Sequence, residues 1–381
     1  MIRLSRSIVG EAEAAAVHRI ICEDGYLGMG AEVQRFEQDL ASYLGVEPES
    51  VITVNSGTAA LHLAVESLFG HNSGVEILVP SLTFVASFQA IGAAGAVPVA
   101  CDVREDTGTI DLADAARKLT SRTRAIMPVH YASNPVDLDH VYAFARAHEL
   151  RVVEDAAHAF GCLYKGKKIG SFGDVICFSF DGIKNITCGE GGCIVTADPA
   201  VASLARDGRL LSVEKDTEKR FSGQRSWDFD VKVQGWRYHM SNIMAAIGRV
   251  QLQRLDTEFA PKRCELARRY RQNLANVADI AFFSEEPEAF IVPHILPVRF
   301  LNGKRAKVLD VLDKFSIQSG QHYKPNHLLS LYSGGDNAHN FGLFPVAERL
   351  HEEILTLPLH PGLSLDDVDL VCGLVASALK D

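Results

Sequence analysis

The sequence predicts an α/β protein: a mostly parallel sheet of the seven-stranded type with helices on both faces, followed by a smaller α/β domain. Three observations carry this expectation. Short β-branched apolar runs alternate with helix-length stretches up to about residue 200. The runs are nearly continuous in hydrophobicity, as in strands buried on both faces. Beyond residue 241 the pattern turns helical and then mixes again. A chain of 381 residues has room for about two to three domains.

Taken in order, apolar runs at 51–54, 75–80, 97–103, 124–129, 151–154, 175–180 and 193–196 read as strands. Helices are expected at 58–69 and near 84–93. In residues 241–275, Ile243, Ala246, Ile247, Val250, Leu252 and Leu255 recur at helical spacing. Pro261, lacking an N–H, should break or kink that helix. A strand at 291–300, a helix near 305–315, a polar loop at 316–340 and a helix from about Ser364 complete the reading. Within the loop, 333–340 is the candidate for mobility. The expected division is 15–245 for a large domain and 246–381 for a small one, with residues 1–14 packing on the latter.

Composition narrows the function classes. Hydrophobic residues make up 47%, charged residues 23%, and the net charge is −10. An acidic balance argues against nucleic acid or an anionic membrane as partner. No apolar run reaches the length of a membrane span, and no signal peptide is recognised. The eight cysteines form no Cys-x-x-Cys pair. They imply a reducing cytoplasm with neither a disulfide framework nor a metal site.

The chemistry-bearing residues fall at strand ends, where ligands bind in such sheets. Lys184 follows the run 175–180, and Asp155 closes the run 151–154. Asn55-Ser56-Gly57-Thr58 turns from a strand into a helix. A helix N-terminus offers free N–H groups to a phosphate, and Gly57 permits close approach. The same turn also reads as a plain N-cap, and Ser179 on a neighbouring strand tips the balance toward phosphate. A carboxylate at Asp155 suits a pyridinium nitrogen, although strand-end Asp residues also cap helices. A desolvated Lys184 suits a nucleophilic amine, whereas most lysines are solvated. Together these groups point to pyridoxal 5′-phosphate (PLP). Phe84 could stack on its ring or fill the core. His158, three residues after Asp155, could meet its hydroxyl or be structural. Glu154 should face the other side of its strand. A dinucleotide fold is the competing reading, but no Gly-x-Gly-x-x-Gly turn follows a strand.

With these residues in place, the chain resembles the DegT/DnrJ-type nucleotide-sugar aminotransferases, PLP enzymes of the aspartate aminotransferase fold (fold type I). The resemblance spans essentially the whole chain. It is carried by residues 25–30, 55–61, 80–87, 154–158, 179–192 and 357–362. It implies that Lys184 bonds the cofactor covalently and that Asp155 pairs with its ring nitrogen. Gly57, Thr58 and Ser179 would hold the phosphate, Phe84 would stack on the ring, and His158, where Gln is frequent, would contact the ring hydroxyl. It further implies a homodimer in which residues 235–242 reach the neighbouring site. His239 there replaces an Asn common among members, and Tyr26 replaces a Trp. Tyr26, Arg237, His322, Tyr323, Lys324 and His327 are the implied contacts to a sugar nucleotide, with L-glutamate as amino donor. Glu190, where 3-keto enzymes more often carry Asp, leans toward a 4-keto-6-deoxy sugar, with a 3-keto sugar as the alternative. Related dehydratases carry His in place of the reactive lysine, and Lys184 stands against that activity. The presence of both Asp155 and Lys184 also opposes a non-catalytic regulator.

Overall fold

The computed structural model describes residues 1–135, 137–333 and 342–380. The expected mobile segment, 333–340, lies outside the described residues but for Ser333. The first part of the chain forms β1 (Val51–Val54), β2 (Glu76–Pro80), β3 (Val97–Cys101), β4 (Thr123–Ile126), β5 (Arg151–Asp155), the short β6 (Leu163–Tyr164) and β7 (Lys167–Lys168), β8 (Val175–Ser179) and β9 (Gly192–Thr196). Among the described residues, seven of these make one sheet in the order β1-β9-β8-β5-β4-β2-β3. All neighbours are parallel except the two pairings of β9, which are antiparallel.

Side-chain alternation explains the near-continuous apolar runs. Ile77, Val79, Val153, Val175 and Cys177 enter one hydrophobic cluster, and Leu78, Val152, Ile176 and Phe178 enter another. Successive residues point to opposite faces, and both faces are covered. One cluster takes in the helices Gly57–Phe69 and Val85–Ala93, the other the helix Ala31–Leu44. Pro98 sits in β3 at the sheet edge, where a missing N–H costs no interior ladder bond.

The remainder adds β10 (Ile280–Phe282), β11 (Ala289–Phe290), β12 (Leu296–Phe300) and β13 (Ile354–Leu357). Strands β10, β12 and β13 form a small antiparallel sheet, and β11 joins β6 and β7. Leu266 and Tyr270 of the helix Ala260–Leu274, Leu312 of Arg305–Lys314 and Val371 of Leu365–Leu379 bury Val298 in a separate core, completing the smaller α/β domain. Ile2 pairs with Ile317, and the Leu4 carbonyl accepts from the Leu359 N–H, so the first residues lie against this part. Residues 245/246 fall inside the helix Asn242–Arg254, which packs on Ala31–Leu44 and Glu11–Arg19. No helix among the described residues is long and apolar enough to cross a membrane.

The expected break near Pro261 is present, and the expected strand over 291–300 is corrected. The helical stretch is interrupted at Leu255–Phe259 by a wider π-type turn, and Pro261 lies in the first turn of the next helix. A proline is tolerated there because first-turn N–H groups have no helical acceptor. The run 291–300 pairs only from Leu296. Pro293 has no N–H to give, the His294 N–H goes to Ser133 Oγ at 2.8 Å, and the carbonyls of both accept from Arg263. Side chains occupy the backbone groups that a sheet would have used.

Phe178 on β8 is fully buried and meets Phe160 edge to face with ring centroids 5.1 Å apart. Phe178→Ala should lower unfolding free energy by about 3–5 kcal/mol, read as a lower urea midpoint with unchanged slope.

Candidate active site

The carboxyl ends of β1, β2, β5 and β8 meet around a cavity of about 260 Å³. Its walls include Gly57, Thr58, Phe84, Asp155, His158, Ser179, Lys184, His294, His322 and Tyr323. Seven of the cofactor and catalytic residues read from sequence are thus on one surface. His322 and Tyr323 join them.

The first wall is the N-terminus of the helix Gly57–Phe69. Ser56 caps it, its Oγ accepting the Ala59 N–H at 3.1 Å. The N–H groups of Gly57 and Thr58 precede any helical acceptor. The approach to β8 is so close that a Cβ on Gly57 would stand 2.7 Å from Ser179 Cβ. A Cβ on Gly192 would meet the Ser56 and Phe178 carbonyl oxygens, both at 2.7 Å. These glycines let a helix terminus, a strand end and the Ser179 hydroxyl converge, which makes a cradle for a phosphate.

Asp155 ends β5 beneath the cavity. Its Oδ2 accepts from Ser87 Oγ at 2.6 Å and its Oδ1 from the Ala157 N–H at 3.2 Å. Glu154 points the other way, as expected, and takes His130 and Tyr142 as partners. His158 Nε2 and Tyr323 Oη share a hydrogen bond of 3.1 Å. Nδ1 of His158 and of His294 are buried with no partner among the described residues. Burial, and then the neighbouring Lys184 charge, hold both imidazoles well below their ordinary pKa, so they are neutral. Phe84 is half exposed at the cavity wall, with its ring 5.6 Å from that of Tyr323.

Lys184 lies in a turn in which the Ile183 N–H goes to Asp181 Oδ1 and the Lys184 N–H to the Asp181 carbonyl. Its amine is 3.4 Å from His294 Nε2. Burial pushes its pKa down to about 8, against the opposing pull of Asp155 and Asp181 and with a contribution from Arg263. The amine is poised to act as a nucleophile near neutral pH.

Other expected contacts lie off this cavity. His327 is buried, with Nδ1 at 2.6 Å from Ser81 Oγ and Nε2 at 3.2 Å from Glu348. With Asn326, whose Nδ2 reaches the Ser81 and Thr83 carbonyls, it clamps the segment bearing His322 and Tyr323 to the exit of β2. His239 bridges Val54 outside the cavity, and Arg237 lines a separate hollow with Asp216, Arg220 and Phe229. The Tyr26 ring lies against Gly30, and Lys324 is exposed beyond Tyr323. Conversely, Glu190 proves to be a wall residue. Ser87, His294 and Arg263 carried no assignment from sequence. Ser87 stands one helical turn from Phe84, a spacing that marks it. Pro293 inside an apolar run marks His294.

The donor set fits PLP: an anion cradle, a buried carboxylate, an open aromatic face, two orphaned imidazole nitrogens and a desolvated lysine share one cavity at the carboxyl edge of the sheet. This fold and this site define a PLP-dependent enzyme of fold type I. The chain belongs to the DegT/DnrJ/EryC1/StrS aminotransferase family, whose model matches residues 8–376. It is 34% identical over 375 residues to the dTDP-4-dehydro-2,3,6-trideoxy-D-glucose 4-aminotransferase of Saccharopolyspora spinosa, covering 97% of this chain and 94% of that one. The crystal structure of the aminotransferase TlmJ from Streptoalloteichus hindustanus is 35% identical, with a TM-score of 0.90 over 100% of this chain and 99% of that one. The putative sugar aminotransferase Spr1654 from Streptococcus pneumoniae, in its PLP form, is 28% identical with a TM-score of 0.88, covering 99% and 98% of the two chains.

Gly57→Ala should weaken PLP binding by about tenfold or more while leaving the fold intact. Absorbance titration with PLP and far-ultraviolet circular dichroism check this. About 1.4 kcal/mol of lost cradle contact suffices for that factor.

Proposed function

We propose that the chain transfers an amino group from L-glutamate to a keto carbon of a nucleoside-diphosphate sugar, with a 4-keto-6-deoxy sugar as acceptor. The reading rests on the family and, most directly, on the depressed Lys184 amine enclosed with Asp155 and the Gly57 helix terminus. When bound, PLP supplies an aldehyde and an electron-accepting ring. Gly57, Thr58 and Ser179 are the proposed phosphate ligands, Asp155 the partner of the ring nitrogen, His158 that of the ring hydroxyl, and Phe84 the stacking face. Ser87 orients Asp155. Lys184 would be the base that takes the proton from the substrate α-carbon and the acid that returns it. In the second half-reaction the same amine moves the proton back to the sugar carbon that receives nitrogen. His322 and Tyr323 face the sugar in this proposal.

Two copies of the chain are proposed to complete each site. His239 and Arg237 lie off their own cavity, and the preceding segment exposes Trp227, Phe229, Val231 and Val233, which fits a surface covered by a second subunit. Tyr26 and Lys324 are proposed substrate contacts at the same junction. The S. spinosa relative, named as a 4-aminotransferase, supports the 4-keto acceptor over the 3-keto alternative. The large unit is proposed as 15–245 and the small as 246–381, and the setting as cytoplasmic.

Lys184→Ala should still bind PLP but lose at least about 10³-fold in transamination. Incubating the wild-type chain with glutamate and, in turn, 3-keto and 4-keto nucleotide sugars, and locating the new amine by NMR, decides the position. Amination at C4 is expected. Amination at C3 overturns the 4-keto assignment, and no turnover of any keto sugar overturns the proposed reaction.

A further inference from the structure

Arg263, on the helix Ala260–Leu274, is buried to 2% exposure. Among the described residues no carboxylate pairs with it. Its Nη1 lies 3.3, 3.1 and 3.4 Å from the carbonyl oxygens of Pro293, His294 and Leu359, and its Nη2 lies 3.4 Å from that of Lys184. Nε is buried with no acceptor. The contrast is Arg209, equally buried, which meets Glu37. Burying an unpaired guanidinium opposes stability, because its lost hydration is not replaced by a counter-ion. Such a group persists where the surroundings over-determine it, and here they are the main chain of the reactive lysine and of the histidine beside it.

We infer that Arg263 is a positioning residue: its hydrogen bonds lock the Lys184 main chain to residues 293–294 and to Leu359, and they fix a positive charge against the backbone that carries the reactive amine. The inference rests on Lys184 being the reactive amine of the reaction proposed above. The groups facing that amine come from every side of the cavity. Asp155 ends β5, Asp181 lies in the lysine's own turn, and Glu190 lies in the loop before β9. His158 follows β5, His294 precedes β12, and His322 and Tyr323 close the far wall. The two aspartates favour the charged amine, and burial and Arg263 oppose them. The three histidines are held below their ordinary range by burial first, His322 to about 4, so they are neutral at pH 7. Burial pulls Arg263 itself down only to about 10, which leaves it charged. It is therefore the standing cation of this group. Removing that positive charge removes one influence that lowers the amine's pKa, so the pKa should rise.

The test measures the amine directly. The full-length chain freed of PLP is labelled with an amine-reactive reagent across a pH series, and labelling at Lys184 is quantified by mass spectrometry. Wild type should titrate well below the ordinary lysine value of about 10.4. In Arg263→Gln and Arg263→Met the midpoint should move up, toward the ordinary lysine value. Arg263→Lys, which keeps the charge but cannot span four carbonyls, should stay near wild type in midpoint while losing kcat in the loaded enzyme. An unchanged midpoint in a folded neutral variant overturns the inference. If neither neutral variant folds, Arg263→Lys decides: a wild-type midpoint with lowered kcat upholds the inference, and an unchanged kcat overturns it. Because labelling needs no keto sugar, failure here is separable from failure of the proposed reaction, which would leave the midpoints in place and abolish turnover.

Discussion

A lysine amine held out of water, with no acid among the described residues in hydrogen-bonding contact, is the constraint on which the rest of this structure depends. An ammonium in such a place must either recover its lost hydration or release its proton. Asp155 and Asp181 are near enough to favour the charge, but burial is the larger influence and depresses the pKa. The cavity is arranged so that nothing else resolves the tension. Its imidazoles are neutral, its carboxylate at Asp155 is already engaged by Ser87 and Ala157, and the amine meets a histidine nitrogen at 3.4 Å.

The fold supplies that arrangement through ordinary means. Parallel strands deliver their carboxyl ends to one edge, so residues distant in sequence arrive together. Glycines at 57 and 192 remove the side chains that would keep the first helix away from β8. The smaller domain closes the far side. The segment with His322 and Tyr323 is pinned by Asn326 and His327 to the exit of β2, and Tyr131 Oη donates to the His322 carbonyl at 2.5 Å. An aromatic, a phenol and two imidazoles then face the strand ends across a narrow gap, each carried by backbone that is itself tied down.

Much of this was legible in the sequence because it is local. A continuous apolar run marks a strand buried on both faces, and the residue that ends the run marks the edge where ligands bind. Asp155, Ser179, Lys184 and the Ser-Gly-Thr turn were found that way. What was not legible is non-local. His294 sits in an apolar run that looks like strand, and only Ser133 and Arg263 divert its backbone. Arg263 looks like any cation on an amphipathic helix, and its burial depends on elements that come together from four parts of the chain. His327 is expected near the sugar nucleotide from the family resemblance alone, and its buried contacts with Glu348 and Ser81 come from distant parts of the chain. Residues 237 and 239 lie off the cavity of their own chain, and nothing in their local sequence marks that placement.

The most direct test of the central claim is covalent. The chain is loaded with PLP, reduced with borohydride, digested and mapped by mass spectrometry. The account predicts the reduced cofactor on the peptide containing Lys184 and on no other. A label on a different lysine, or a cofactor that washes away entirely after reduction, would contradict it.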